Sequence, residues 1–164
     1  MKSRSPLLLL LYGLLVALIV VADQITKLLV VAKIDLNGHV DAIPGLFHLT
    51  YVQNTGAAFS SFRGMQWLFI VIFLVLTAAL LFEYFKKPMA FDTFERFCLA
   101  AIYGGALGNI IDRVRLSYVV DMICVDFMDF PVFNVADCFI SCGCILLLVH
   151  LVFFNKDFWK DGKK

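Results

Sequence analysis

The residues able to do chemistry are few, and they fall in four short stretches. These are Asp23-Gln24-Ile25-Thr26-Lys27; Gln53-Asn54-Thr55-Gly56 leading into Ala57-Ala58-Phe59-Ser60; Gly104-Gly105-Ala106-Leu107-Gly108-Asn109-Ile110-Ile111-Asp112-Arg113; and Phe133-Asn134-Val135-Ala136-Asp137. The chain has no G-x-S-x-G elbow, no H-E-x-x-H helix, no Walker loop and no His/Cys set at metal-ligand spacing. His39, His48 and His150 are isolated in sequence and read as structural. What remains is carboxylate chemistry, supported by amides and one arginine. Two carboxylates held close cannot both ionise easily, so one keeps a proton. Such a pair can activate a water with one member while the other protonates or hydrogen-bonds a scissile carbonyl. That hydrolyses a peptide bond with no metal and no covalent intermediate. Asp112, Asp121, Asp126, Asp129 and Asp137 are candidates for it, and the residues alone do not say which two act.

Each stretch also has a plainer reading. Asp23 and Lys27, four apart on one helix face, can pair simply to hold a helix to its partners. Asn54-x-Gly56 is a common turn signal. The glycines from Gly104 to Gly108 suit close helix packing, although Asn109 and Asp112 share a face there with Arg113 beside them. Asn134 or Asp137 can cap a helix N-terminus.

The elements that must position these groups follow from composition. Of 164 residues, 62% are apolar and 16% charged, with mean hydropathy +0.89 and net charge +1. That excludes an ordinary soluble domain, a disordered chain and an electrostatically driven nucleic-acid binder, and it predicts one membrane-embedded domain over residues 1–164. Spans are expected at about residues 7–32, 65–85, 97–111 and 132–154. The first, about 26 residues and about 39 Å long, reads as a retained span rather than a cleavable signal. The third is short and glycine-rich.

Nine of the fourteen basic residues lie at the N-terminus (Lys2, Arg4), in the second connection (Lys86, Lys87, Arg96) and in the tail (Lys156, Lys160, Lys163, Lys164). The positive-inside rule then puts both termini in the cytoplasm and segments of about 34–64 and 112–131 outside. In the first of these, Phe47, Leu49 and Tyr51 alternate with His48 and Thr50 after a Pro44-Gly45 turn, which predicts a strand in a small surface sheet. The five cysteines include no C-x-x-C pair and read as apolar packing residues. The expected fold is an α-helical integral membrane protein with four transmembrane helices and a small extracytoplasmic β-sheet. Ionisable groups at membrane depth are costly and mark a functional site, so the four polar stretches belong together.

Read in order, Asp23-Gln24-x-Thr26-Lys27, Asn54-x-Gly56-Ala57-Ala58-Phe59-Ser60, Gly104-Gly105-Ala106-x-Gly108-Asn109-x-x-Asp112-Arg113, Val119-Val120-Asp121 and Phe133-Asn134-x-Ala136-Asp137 resemble the bacterial lipoprotein signal peptidase (signal peptidase II) family. The resemblance covers most of the chain. It implies an aspartyl endopeptidase of the bacterial cytoplasmic membrane, with its site near the extracytoplasmic face. Such an enzyme cleaves prolipoproteins before the diacylglyceryl-modified cysteine of the lipobox. It assigns the catalytic pair to Asp121 and Asp137, and substrate or inhibitor contacts to Asn54, Gly105, Gly108, Asn109, Arg113 and Asn134. Structural support is assigned to Asp23, Lys27 and Asp112. It further implies a sheet that cradles the site, globomycin-type inhibitors, contact with membrane lipids, no cofactor, no metal, no nucleic-acid partner and a monomer. Met122 stands where the family often has phenylalanine. Asp126 and Asp129 fall in the family's variable interval and are candidates for tuning the pair's proton affinity.

Three other readings compete at this level. A small transporter or channel would spread polar groups through the inner halves of the spans, which hold little beyond Glu83 and His150. A thiol oxidoreductase would need paired outer cysteines, and only Cys124 lies clearly in an outer segment. A non-catalytic assembly factor is the third.

Overall fold

The computed structural model describes residues 5–56, 64–86 and 91–155. Among them are helices α1 (Pro6–Lys33), α2 (Gln66–Lys86), α3 (Thr93–Leu116) and α4 (Val135–Phe153), and strands β1 (His39–Ile43), β2 (Phe47–Asn54) and β3 (Val119–Val125). Helices α1, α3 and α4 are long and apolar enough to cross a membrane, while α2 contributes a shorter apolar stretch, Gln66–Phe82.

Helix α1 starts with proline in its first turn, where the missing N–H costs nothing, and runs for 28 residues, about 42 Å. Its polarity is inside out. Leu7, Leu10, Leu14, Leu18, Ile25 and Leu28 are exposed, as suits a lipid-facing surface, while the buried stripe is Ile19, Asp23, Lys27 and Val30.

Helix α3 is the central element and packs on all three other helices. It is longer than the expected span of 97–111. A capping box begins it, with the Asp92 side chain accepting from Glu95 N and the Glu95 side chain accepting from Asp92 N. It ends at Ser117, whose φ of 65° is left-handed, so Asp112 and Arg113 lie in the helix rather than in the following loop. Its glycines let neighbours approach closely. A Cβ on Gly105 would lie 2.5 Å from the Ala136 carbonyl oxygen of α4, and one on Gly108 would lie 2.6 Å from Asp23 Oδ2 of α1. Gly104 faces Ile19 of α1 in the same way.

The strands form an antiparallel sheet in the order β1-β2-β3. The Pro44-Gly45 turn closes the first hairpin, with Gly45 at φ 74°. The expected alternation along β2 is interrupted, because Thr50 and Tyr51 are both buried where the register with β3 shifts between Leu49 and Val52. Tyr51, Val120 and Met122 pack on Val30 and Ile34 at the end of α1, which fixes the sheet against the bundle.

Buried polar contacts fasten α1, α3 and β3 together. Lys27 is 3% exposed, and its ammonium has three N–H bonds to place. They meet Asp23 Oδ2 at 2.8 Å, Asp112 Oδ2 at 3.0 Å and Asn109 Oδ1 at 2.9 Å. The two carboxylates then reach further. Asp23 Oδ1 accepts Ala136 N, a free N–H in the first turn of α4, and Asp112 accepts both Val120 N of β3 and Gln24 Nε2. Removing the cation would leave two buried carboxylates uncompensated. Lys27→Met is expected to lower stability by about 3–5 kcal/mol. Unfolding curves in detergent would test this, and an unchanged midpoint would contradict it.

Candidate active site

The site lies where β2, β3 and the start of α4 converge over α3. Asp121 is carried by β3, whose first residues are held by the Asp112 bond to Val120 N. Its carboxyl is 2% exposed, and Nδ2 groups of Asn134 and Asn54 reach Oδ1 at 2.7 Å and Oδ2 at 2.8 Å. Burial pushes its pKa up to about 6. The Asn54 amide opposes that rise, the Asp137 charge adds to it, and the Asn134 amide opposes it further. Asp137 occupies the third position of α4, half-buried. Its Oδ2 accepts Asn134 N at 3.1 Å, completing a capping box, and its Oδ1 accepts Asn109 Nδ2 at 2.8 Å.

The orientation of each amide follows from what faces its oxygen. Asn109 Oδ1 meets the donor-only ammonium of Lys27, Asn134 Oδ1 accepts Asp137 N, and Asn54 Oδ1 accepts Gly56 N. Every carbonyl oxygen is therefore committed, and the three NH₂ groups turn toward the two carboxylates. Asn134 also reaches Asn109 Oδ1 at 3.1 Å, so the amides link Asp121 to Asp137.

Arg113 projects from α3 with its guanidinium 4.4 Å from the centre of the Phe69 ring, and one NH₂ donates to the Gly56 carbonyl at 3.1 Å. Its buried Nε has no hydrogen-bond partner among the described residues. Apart from the fully buried Asn134, these groups border one cavity of about 620 Å³ between α2, α3 and α4. One end is polar, with Asn54, Asn109, Arg113, Asp121 and Asp137; the rest is walled by Phe69, Ile72, Phe73, Leu76 and Ile140.

Of the residues singled out from sequence, Asn54, Asn109, Arg113, Asn134, Asp121 and Asp137 come together here. Asp23, Lys27 and Asp112 lie behind them as the polar support. Gly105 and Gly108 sit elsewhere: they face α4 and α1 in tight helix contacts and do not border the cavity. Asp126 bonds His48, and neither it nor Asp129 lines the cavity. Ala57, Ala58, Phe59 and Ser60 lie outside the described residues. Two contributors, Gln24 and Phe69, have no role assigned by the sequence. Gln24 bridges Asp112 and the Gly108 carbonyl, and its place beside Asp23 in a polar stretch was the available signal. Phe69 carries no signal, being one aromatic in an apolar helix.

Comparison with known proteins places the chain's sequence and fold in a family. The profile of the family described as Signal peptidase (SPase) II matches residues 15–153. A Streptococcus pyogenes serotype M2 protein named lipoprotein signal peptidase is 42% identical over 151 residues, spanning 92% of this chain and 94% of its own. Its counterpart from serotype M1 shows the same identity and coverage. A bacterial membrane enzyme solved by the in meso method at 2.3 Å superposes with TM-score 0.81 at 30% identity, covering 89% of this chain and 90% of that one. A second such structure, at 1.9 Å, gives TM-score 0.77 at 30% identity over 88% and 94%. With most of its length matched in sequence and in fold, the chain belongs to the signal peptidase II family.

Proposed function

We propose that this protein is an aspartyl endopeptidase that removes signal peptides from diacylglyceryl-modified prolipoproteins, with Asp121 and Asp137 as its catalytic pair. The observation that carries this reading is two carboxylates, linked by oriented amides, at the polar end of an otherwise apolar cavity. Family membership supports the substrate class.

In this mechanism Asp121, the more buried carboxyl, starts protonated and Asp137 starts ionised. A water between them gives a proton to Asp137 as its oxygen adds to the scissile carbonyl carbon, while Asp121 gives its proton to the carbonyl oxygen. The resulting gem-diol collapses: the C–N bond breaks, Asp137 returns its proton to the leaving nitrogen, and a diol hydroxyl returns one to Asp121. Asn54 and Asn134 hold Asp121, Asn109 holds Asp137, and the Arg113 Nε–H, unpartnered among the described residues, donates to a substrate backbone carbonyl. Gly105 and Gly108 act by letting α1, α3 and α4 close behind the site.

The substrate suits the cavity. A signal peptide is an apolar helix and its diacylglyceryl group prefers lipid, so the scissile bond, just before the lipidated cysteine, arrives at the polar end. In this topology α2 is the fourth span and both termini are cytoplasmic. The site then opens near the extracytoplasmic face of a bacterial cytoplasmic membrane. Globomycin-type inhibitors would occupy the same cavity of a monomer.

Asp121→Asn and Asp137→Asn are each expected to reduce cleavage of a lipidated prolipoprotein at least about 10²-fold while the protein still inserts. Near-normal turnover in either variant would remove that residue from the pair. The pH profile is a second test. Activity needs Asp121 protonated, so kcat/KM declines as pH rises through the pair's upper apparent pKa. Asn54 stabilises the Asp121 carboxylate, so Asn54→Ala should move that alkaline limb to higher pH. A limb that stays put or moves down would contradict the assigned proton position.

A further inference from the structure

The start of α2 is fastened to the turn that follows Asn54. Gln66 Nε2 donates to the Thr55 carbonyl, and Gly64 N donates to the same oxygen at 2.8 Å. Phe69 stands three residues beyond Gln66 and so on the same side of the helix. Its ring meets the Arg113 guanidinium, with Cζ 4.4 Å from the ring centre. Arg113 is thereby approached from three directions. One NH₂ donates to the Gly56 carbonyl at 3.1 Å, the other donates to the Asn109 carbonyl of its own helix at 3.4 Å, and the ring covers the cation from the α2 side. Nε remains buried and without a hydrogen-bond partner among the described residues.

Both hydrogen bonds are modest. One acceptor belongs to a turn, and the 3.4 Å bond is long, so together they hold the guanidinium loosely. An aromatic ring adds an attraction that water does little to weaken in an apolar wall, and a flat surface against which a planar cation keeps one orientation. We propose that Phe69 is a positioning residue for the peptidase reaction, its ring turning Arg113 so that Nε–H meets the substrate backbone beside Asp121 and Asp137. This role rests on the peptidase reading above. Phe69 also belongs to the apolar wall of the cavity, so α2 contributes to substrate binding both directly and through a cation that α3 carries. The carbonyl that Nε–H binds is not the one that reacts. Its hydrogen bond is therefore made equally in the bound substrate and in the transition state, and losing it weakens binding while leaving the chemical step alone.

Phe69→Leu keeps an apolar side chain and removes the ring. It is expected to raise KM for a lipidated prolipoprotein about fivefold or more, with kcat within about twofold of the parent chain. Phe69→Tyr keeps the ring and should retain a parent-like KM. In an Arg113→Ala background, where KM is already raised, adding Phe69→Leu should change it no further. Proton NMR of the full chain in detergent reads the contact independently of activity: a nuclear Overhauser contact is expected between the Phe69 ring protons and Arg113 Hε, the latter assigned by its loss in Arg113→Ala. Absence of that contact in the parent chain, a Phe69→Tyr defect equal to that of Phe69→Leu, losses that add in the double variant, or a fall in kcat at unchanged KM would overturn the positioning role. A parent chain that cleaves no prolipoprotein would instead overturn the peptidase reading, and the Overhauser contact would still decide whether the ring holds the guanidinium.

Discussion

One buried cation organises this molecule. The Lys27 ammonium can satisfy its three N–H bonds only if Asp23, Asp112 and Asn109 surround it, which brings α1 and α3 into one register. Each of those acceptors then fixes something further. Asp23 takes a free N–H at the start of α4, Asp112 holds the first turn of backbone in β3, and Asn109, with its oxygen committed, turns its NH₂ to Asp137. The positions of both proposed catalytic carboxylates are thus inherited from a charge that neither of them touches directly through a salt bridge. In lipid the alternative to this arrangement is an unpaired ion, which is why the network tolerates no partial version.

The same inversion of polarity makes the cavity. Because leucines on α1 and the outer faces of the other helices meet the bilayer, the interior is free to hold amides and carboxylates, and α3 can come close to both α1 and α4 only at its glycines. Helix α2 packs on α3 and stands apart from α4, leaving an apolar slot that ends at Asp121 and Asp137. Such a slot fits a lipid-soluble helix, and at its polar end burial and a neighbouring carboxylate together raise the proton affinity of Asp121 above that of a surface aspartate.

Much of the site was readable in the sequence because so few polar residues compete for attention in an apolar chain. Asn109, Arg113, Asn134 and Asp137 stood out by type and position, and Asp23 and Lys27 by helical spacing, whereas Asn54 alone read as a turn signal and Asp121 was one of five aspartates until the family resemblance singled it out. Direction within a helix was less readable. Gly105 and Gly108 belong to the same stretch as Asn109, yet a 3.6-residue repeat turns them toward α4 and α1 instead of the cavity. The start of α3 was placed too late because hydrophobic run length hides a cap, whereas Asp92 and Glu95 write it in two polar residues. Pairings between strands were not readable at all: the register that joins His39 to His48, and Asp126 to His48, depends on a hairpin turn and a bulge that local pattern does not specify.

In the proposed mechanism Asp121 holds the proton of a carboxyl pair whose other member activates water. Isotope-edited infrared spectroscopy of protein labelled at aspartate carboxyls reads this directly. A protonated-carboxyl band is expected at pH 5 that fades as pH rises through about 6 and is absent from Asp121→Asn. A band that persists unchanged in Asp121→Asn, or no such band in the parent protein, would contradict it.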